Sequence, residues 1–146
     1  MPYNWTGVTC EPCFGTVSSN DLSNFNVAGG FPSGFYRIPT LRHLSLTWND
    51  LSGGLPATNI ALCSPVPSAQ VLSLYSNLIF GWIPSFLANL TELTQFDLGF
   101  NPFCCGVRPS EIGNLTKVEV LGLPFANLTG DIPDSIGNLS SNGLTG

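Results

Sequence analysis

Hydrophobic residues in this chain alternate with polar ones over short runs, each followed by an asparagine and then a proline. In LRHLSLTWNDLSGGLP (Leu41 to Pro56), leucines at 41, 44 and 46 precede Asn49, and Pro56 closes the unit. AQVLSLYSNLIFGWIP (Ala69 to Pro84), LTELTQFDLGFNPFCCGVRP (Leu90 to Pro109) and VEVLGLPFANLTGDIP (Val118 to Pro133) continue the pattern. The closing prolines Pro32, Pro56, Pro84, Pro109 and Pro133 lie 24, 28, 25 and 24 residues apart. A period of this length marks a solenoid, whose units bury their apolar faces against their neighbours. In L-x-L alternate side chains point to opposite faces, so Leu44 and Leu46 turn inward while Ser45 and Thr47 face outward. Stacked units then predict short parallel strands on one face and 3-10 or irregular turns on the other. Asn49, Asn77 and Asn101 carry both a donor and an acceptor, and are expected to satisfy backbone groups where the chain leaves each strand. Gly53, Gly81 and Gly130 are expected to permit the bend before each return path.

Composition narrows the function. Charged residues are only 9% of 146, and four Lys and Arg against nine Asp and Glu leave a net charge of −5. Phosphate recognition needs clustered cations, so no nucleic-acid partner is expected. No apolar run reaches the roughly 18 residues of a spanning helix, so no membrane-spanning segment is expected. The opening MPYNWTGVTC has neither a charged n-region nor an apolar h-region, so no secretory signal is read there.

The units resemble the plant-type leucine-rich repeat, LxxLxLxxNxLxGxIPxxLxxL, and NWTGVTC resembles the N-terminal cap that precedes such repeats in plant receptor kinases. DLSNFNVAGGFPSGFYRIPTL, NPF…PSEIGNL and NLTGDIPDSIGNL resemble the ectodomains of the HAESA-like receptor kinases. The resemblance implies a right-handed superhelix of the α/β type that binds a secreted peptide hormone on its concave face. A co-receptor kinase ectodomain is implied as a second partner, and the outer face of the plasma membrane or the extracellular space as the location. It also implies a degenerate cap over residues 1–16, about five repeats over 17–139 with an irregular insertion near 57–68, and a truncated sixth repeat over 140–146. No kinase motif occurs, so no catalysis is expected of this chain.

Departures from the pattern are local. The family cap pairs two cysteines, but Tyr3 stands in the first position, which leaves Cys10 alone; Tyr36 similarly stands where relatives carry a partner for Cys63. Five cysteines cannot all pair internally. Cys10 and Cys13 form half a zinc motif without a second half, so no metal is expected. Cys104 and Cys105 are adjacent on the convex side, as loop thiols or a vicinal disulfide. Ala126 and Phe25 occupy ladder positions in place of Asn, Asn20 falls on an inward strand position, and Arg108 replaces the apolar residue before Pro109. In the tail, SIGNLSSNGLTG joins two repeat fragments across a missing strand, so the chain is expected to fray after about Ile136.

The outward strand positions give the candidate site: His43, Ser45, Thr47, Trp48, Ser73, Tyr75, Gln95, Asp97, Phe100 and Phe125. Trp48, Tyr75, Phe100 and Phe125 form either an aromatic track for an extended peptide or a cover for the strand-to-turn corner. Asn4, Asn89, Asn114, Asn127 and Asn138 each begin a glycosylation sequon, although the repeat writes N-L-T for its own reasons. One histidine and no adjacent nucleophile argue against an enzyme, and no cofactor is expected. Two readings remain: a recognition module for a peptide or protein, or a truncated, degenerate gene product with no specific function.

Overall fold

A computed structural model describes residues 5–12, 15–56, 68–104, 109–127 and 131–139. Among these residues nine short strands alternate with turns: β1 (Val8–Cys10), β2 (Val17–Asp21), β3 (Ala28–Gly30), β4 (His43–Ser45), β5 (Asp50–Gly54), β6 (Val71–Ser73), β7 (Leu78–Phe80), β8 (Gln95–Asp97) and β9 (Val120–Gly122). Six of them form one sheet in the order β1-β2-β4-β6-β8-β9. β1 and β2 are antiparallel, and every later pair is parallel. The register aligns Asn20, Leu44, Leu72, Phe96 and Leu121 in one inward row. The architecture is a leucine-rich-repeat solenoid with this six-stranded sheet on one face.

The leucine spacing explains the core. Leu44, Leu46, Leu72, Leu74, Phe96 and Leu98 are all buried from the strands. Return segments close over them as 3-10 turns at Ser33–Arg37, Ser85–Asn89, Pro109–Asn114 and Asp134–Asn138. Pro32, Pro84 and Pro133 stand immediately before three of these, at φ between −68° and −75°. Proline fixes that angle at no hydrogen-bonding cost where a helical turn begins. The turns then deliver Leu87, Leu90, Ile112, Leu115 and Leu139 into the same cluster.

The three asparagines stitch consecutive units together. Asn49 accepts from the Phe25 and Val27 N–H groups and donates to the Leu22 and Leu46 carbonyls, at 2.8–3.2 Å. Asn77 accepts from Leu51 N–H and donates to Leu46 and Leu74; Asn101 accepts from Ile79 N–H and donates to Leu74 and Leu98. Each side chain thus bonds one unit back as well as within its own. Ala126 is buried at the equivalent place and offers no such group.

One expectation needs correction. The turn side is not wholly irregular, because β3, β5 and β7 form a second parallel sheet there. Its residues include AGG and DLSGG, which have low strand propensity; identical backbone paths in stacked units pair anyway. Near the expected end of order at about Ile136, the described residues run to Leu139 and include no sixth strand. The turn Asp134–Asn138 is formed, Leu139 N–H donates to the Ile136 carbonyl, and Leu139 is buried in the core. Its apolar side chain takes the role that Leu90 and Leu115 play earlier. Asn20 does face inward, and its Oδ1 is buried without a hydrogen-bond partner. Asn4, Cys13, Cys63, Cys105, Arg108, Gly130, the segment 57–67 and the tail 140–146 lie outside the described residues, as does the Tyr36 side chain.

Candidate binding site on the strand face

The outward positions of the larger sheet form columns fixed by register. His43, Val71, Gln95 and Val120 make one column, and Asp21, Ser45, Ser73, Asp97 and Gly122 make the next. Beyond the strands the residue just before each ladder position has left-handed backbone: Asn24, Trp48, Ser76, Phe100 and Phe125, at φ of 50–61°, with Asn26 and Asn127 adding a second such residue in the first and last units. Such a conformation is uncommon outside glycine and asparagine, and strained for a bulky aromatic. Three of these five residues are nonetheless aromatic and exposed: Trp48 at 60%, Phe100 at 43% and Phe125 at 79%.

Tyr75 sits one position earlier than the others and closes the gap left by Ser76. Trp48 and Tyr75 meet edge-on with ring centroids 5.8 Å apart. Tyr75 and Phe100 are 5.1 Å apart, and Phe100 and Phe125 are 4.7 Å apart, both tilted. The four rings therefore form one unbroken track across the strands of four units. Each step is about the strand spacing of a sheet. Pro124 extends the surface into the space over Gly99, where an added Cβ would lie 2.6 Å from the proline ring.

Beside the track runs a chain of hydroxyls. Asp21 Oδ1 accepts from the Ser23 hydroxyl at 2.6 Å and from Ser23 N–H at 3.0 Å. Ser23 and Ser45 hydroxyls are 2.7 Å apart, Ser45 and Thr47 3.1 Å, and Thr47 and Ser73 2.9 Å. Asp21 and Ser23 are absent from the sequence-derived candidates. Phe25 at the first ladder position obscures the register of that unit, although S-N-D-L-S carries the same alternation.

Asp97 is the last position of this column to carry a side chain. Its Oδ1 accepts from Gly99 N–H at 3.0 Å. Burial pushes its carboxyl above the ordinary range, and the Gly99 hydrogen bond offsets this only partly. Its carboxylate lies in the space where an added Cβ at Gly122 would come within 2.5 Å. His43 is exposed on β4, and Gln95 is half-buried on β8. Neither shares the hydroxyl chain or the ring contacts. Among the described residues no three His, Cys, Asp or Glu side chains gather to hold a metal. Cys10 and Cys104 are free thiols, and among the described residues no helix is long and apolar enough to cross a membrane.

The Leucine Rich Repeat family model matches residues 40–60. Receptor-like protein kinase 7 of Arabidopsis thaliana is 32% identical over 95% of this chain, which spans 16% of that protein. Receptor protein-tyrosine kinase CEPR2 of the same plant is 34% identical over 88% of the chain and 15% of its own length. Among solved structures, the ectodomain of the Arabidopsis thaliana receptor kinase GASSHO1/SCHENGEN3, in complex with CASPARIAN STRIP INTEGRITY FACTOR 2, superposes with a TM-score of 0.85. It is 35% identical and covers 97% of this chain and 17% of that one. The chain belongs to the leucine-rich-repeat ectodomains of plant receptor kinases. Its span is thus about a sixth of the receptors it matches. A plant ice-binding protein shares the repeat architecture with a TM-score of 0.83 at 29% identity, over 97% of this chain and 45% of its own. The ectodomain fold alone therefore does not choose a ligand, and the side chains on the strand face must.

Proposed function

We propose that this repeat domain is a non-catalytic recognition module that holds an extended peptide along its strand face. The observation that carries this is the track Trp48–Tyr75–Phe100–Phe125, whose rings touch in sequence while three of them stay widely exposed. Soluble proteins rarely expose a contiguous apolar row without a partner, and two of the track's rings bring hydrogen-bonding groups of their own. Retaining aromatics on left-handed backbone, where asparagine or glycine would fit with less strain, favours a role beyond packing. The ring-to-ring steps suit about five residues of extended chain.

Relatives extend the reading. A secreted peptide and a co-receptor ectodomain are the proposed partners; the plant peptide hormone receptor RGFR1 in complex with RGF2 is 29% identical with a TM-score of 0.79, and the BIR3–SERK2 complex is 30% identical with a TM-score of 0.80, each over 97% of this chain. Asn89, Asn114, Asn127 and Asn138 are exposed, as glycan acceptors in an extracellular location must be. The test is selection of random twelve-residue phage-displayed peptides on the chain expressed through a secretory pathway. Enriched peptides should bind saturably and lose affinity for a Trp48→Ala/Phe125→Ala variant. No enrichment, or equal binding by that variant, overturns the proposal.

A further inference from the structure

Resting on the peptide reading above, one carboxylate beside the track specifies what the peptide must carry. A carboxylate can only accept, so Ser23 must donate its single hydroxyl proton to Asp21. Ser23 can then only accept from Ser45, and Ser45, its proton spent, only from Thr47. Thr47 has in turn donated, so Ser73 must donate to Thr47. Every proton in the chain points toward Asp21. Ser73 is the neighbour of Asp97 in the column, and its only proton is committed in the other direction.

Asp97 is thereby left with one donor among the described residues, the Gly99 N–H. On its other side stands Gly122, which contributes no side chain. Among the described residues no cation pairs with Asp97; Lys117 pairs with Glu92 at 2.6 Å, and Arg42 lies 3.9 Å from Glu11. Asp97 sits half-buried, two residues before Gly99 and three before the Phe100 ring. A half-buried carboxylate with spare acceptor sites and no counter-charge attracts a cation that brings several donors.

We infer that Asp97 is a specificity-determining subsite for a lysine or arginine side chain of an extended peptide whose apolar residues lie on the Trp48–Phe125 track. The cation would fill the acceptor sites that the hydroxyl chain leaves empty, in a domain of net charge −5 that favours a basic ligand.

The same phage selection tests this and separates it from the parent reading. Wild-type protein should enrich Lys or Arg at a constant distance from apolar or aromatic residues. Resynthesis of an enriched peptide with that Lys replaced by Gln should weaken binding about fivefold. Asp97→Asn should bind the Lys and Gln peptides equally while keeping the apolar preference, and Asp97→Lys should enrich Asp or Glu instead. Circular dichroism and the denaturation midpoint verify that each variant folds. Enrichment that depends on Trp48 and Phe125 but is blind to charge overturns the cation subsite alone. Absence of any enrichment overturns both readings. The Lys-to-Gln comparison on wild-type protein decides the matter even if a variant fails to fold.

Discussion

The backbone N–H of Phe103 donates to the carbonyl of Asn101, at 2.8 Å, within its own repeat. Its counterparts Leu51 and Ile79 donate instead to the side chains of Asn77 and Asn101 in the following unit. Ala126 occupies the place where such an acceptor would be for Phe103. Substituting Ala126→Asn should restore the missing rung and raise stability by about 1 kcal/mol, the net worth of a buried hydrogen bond. Urea denaturation would measure the gain, and hydrogen exchange at Phe103 should slow. A loss of stability would mean that the Ala126 site cannot accommodate the larger side chain.

Removing an existing rung is the converse. Asn77→Ala strands the Leu51 N–H and weakens the pairing of the Leu46 and Leu74 carbonyls, in a place closed to water. The expected cost is about 3 kcal/mol, because unsatisfied buried groups are penalised by their full desolvation. The denaturation midpoint should fall with little change in slope. A variant as stable as wild type would show that the ladder is dispensable.

Phe125 separates stability from recognition. Its ring is exposed and its backbone left-handed at φ 50°, a conformation asparagine adopts readily. Phe125→Asn should leave stability within about 1 kcal/mol of wild type, since relief of strain offsets the lost contact with Phe100. Peptide affinity should nonetheless drop. Equilibrium unfolding and peptide titration on the same preparation give the two readings, and a large loss of stability would recast the ring as packing.

Asp97 should give the domain a characteristic pH response. Its folded carboxyl is raised above the ordinary value by burial, so the folded state holds this proton more tightly than the unfolded one. The stabilisation that follows is complete below the ordinary carboxylate range and is lost as pH rises through the folded value. Asp97→Asn abolishes the dependence, because Oδ1 of the amide still accepts from Gly99 while no charge forms. The melting temperature of the variant should exceed that of wild type at neutral pH, and the difference should shrink below about pH 4. A constant difference across that range would contradict the assigned cause.

Much of this architecture was legible because it is written in period. Leu44, Leu46, Leu72, Leu74 and their successors face inward by alternation alone, and Asn49, Asn77 and Asn101 follow at fixed intervals. The four aromatics stood out because they occupy outward positions where polar residues are expected. The second sheet did not, since β3 and β5 are rich in glycine and serine and pair only because stacked units bring equal backbone paths together. The hydroxyl chain was hidden for a related reason. It depends on inter-repeat register, and its first members, Asp21 and Ser23, belong to the unit whose ladder asparagine is missing. Left-handed backbone at Trp48, Phe100 and Phe125 contradicts local preference, so geometry imposed by the repeat overrides the residue.

That left-handed column has an evolutionary consequence. Asn24, Trp48, Ser76, Phe100 and Phe125 show that one backbone shape accepts an amide, an indole, a hydroxymethyl and a phenyl group in turn. Mutation at this column can therefore rewrite what the surface recognises while the leucine stack underneath keeps the same shape. A lineage of such domains can diversify its ligands one repeat at a time.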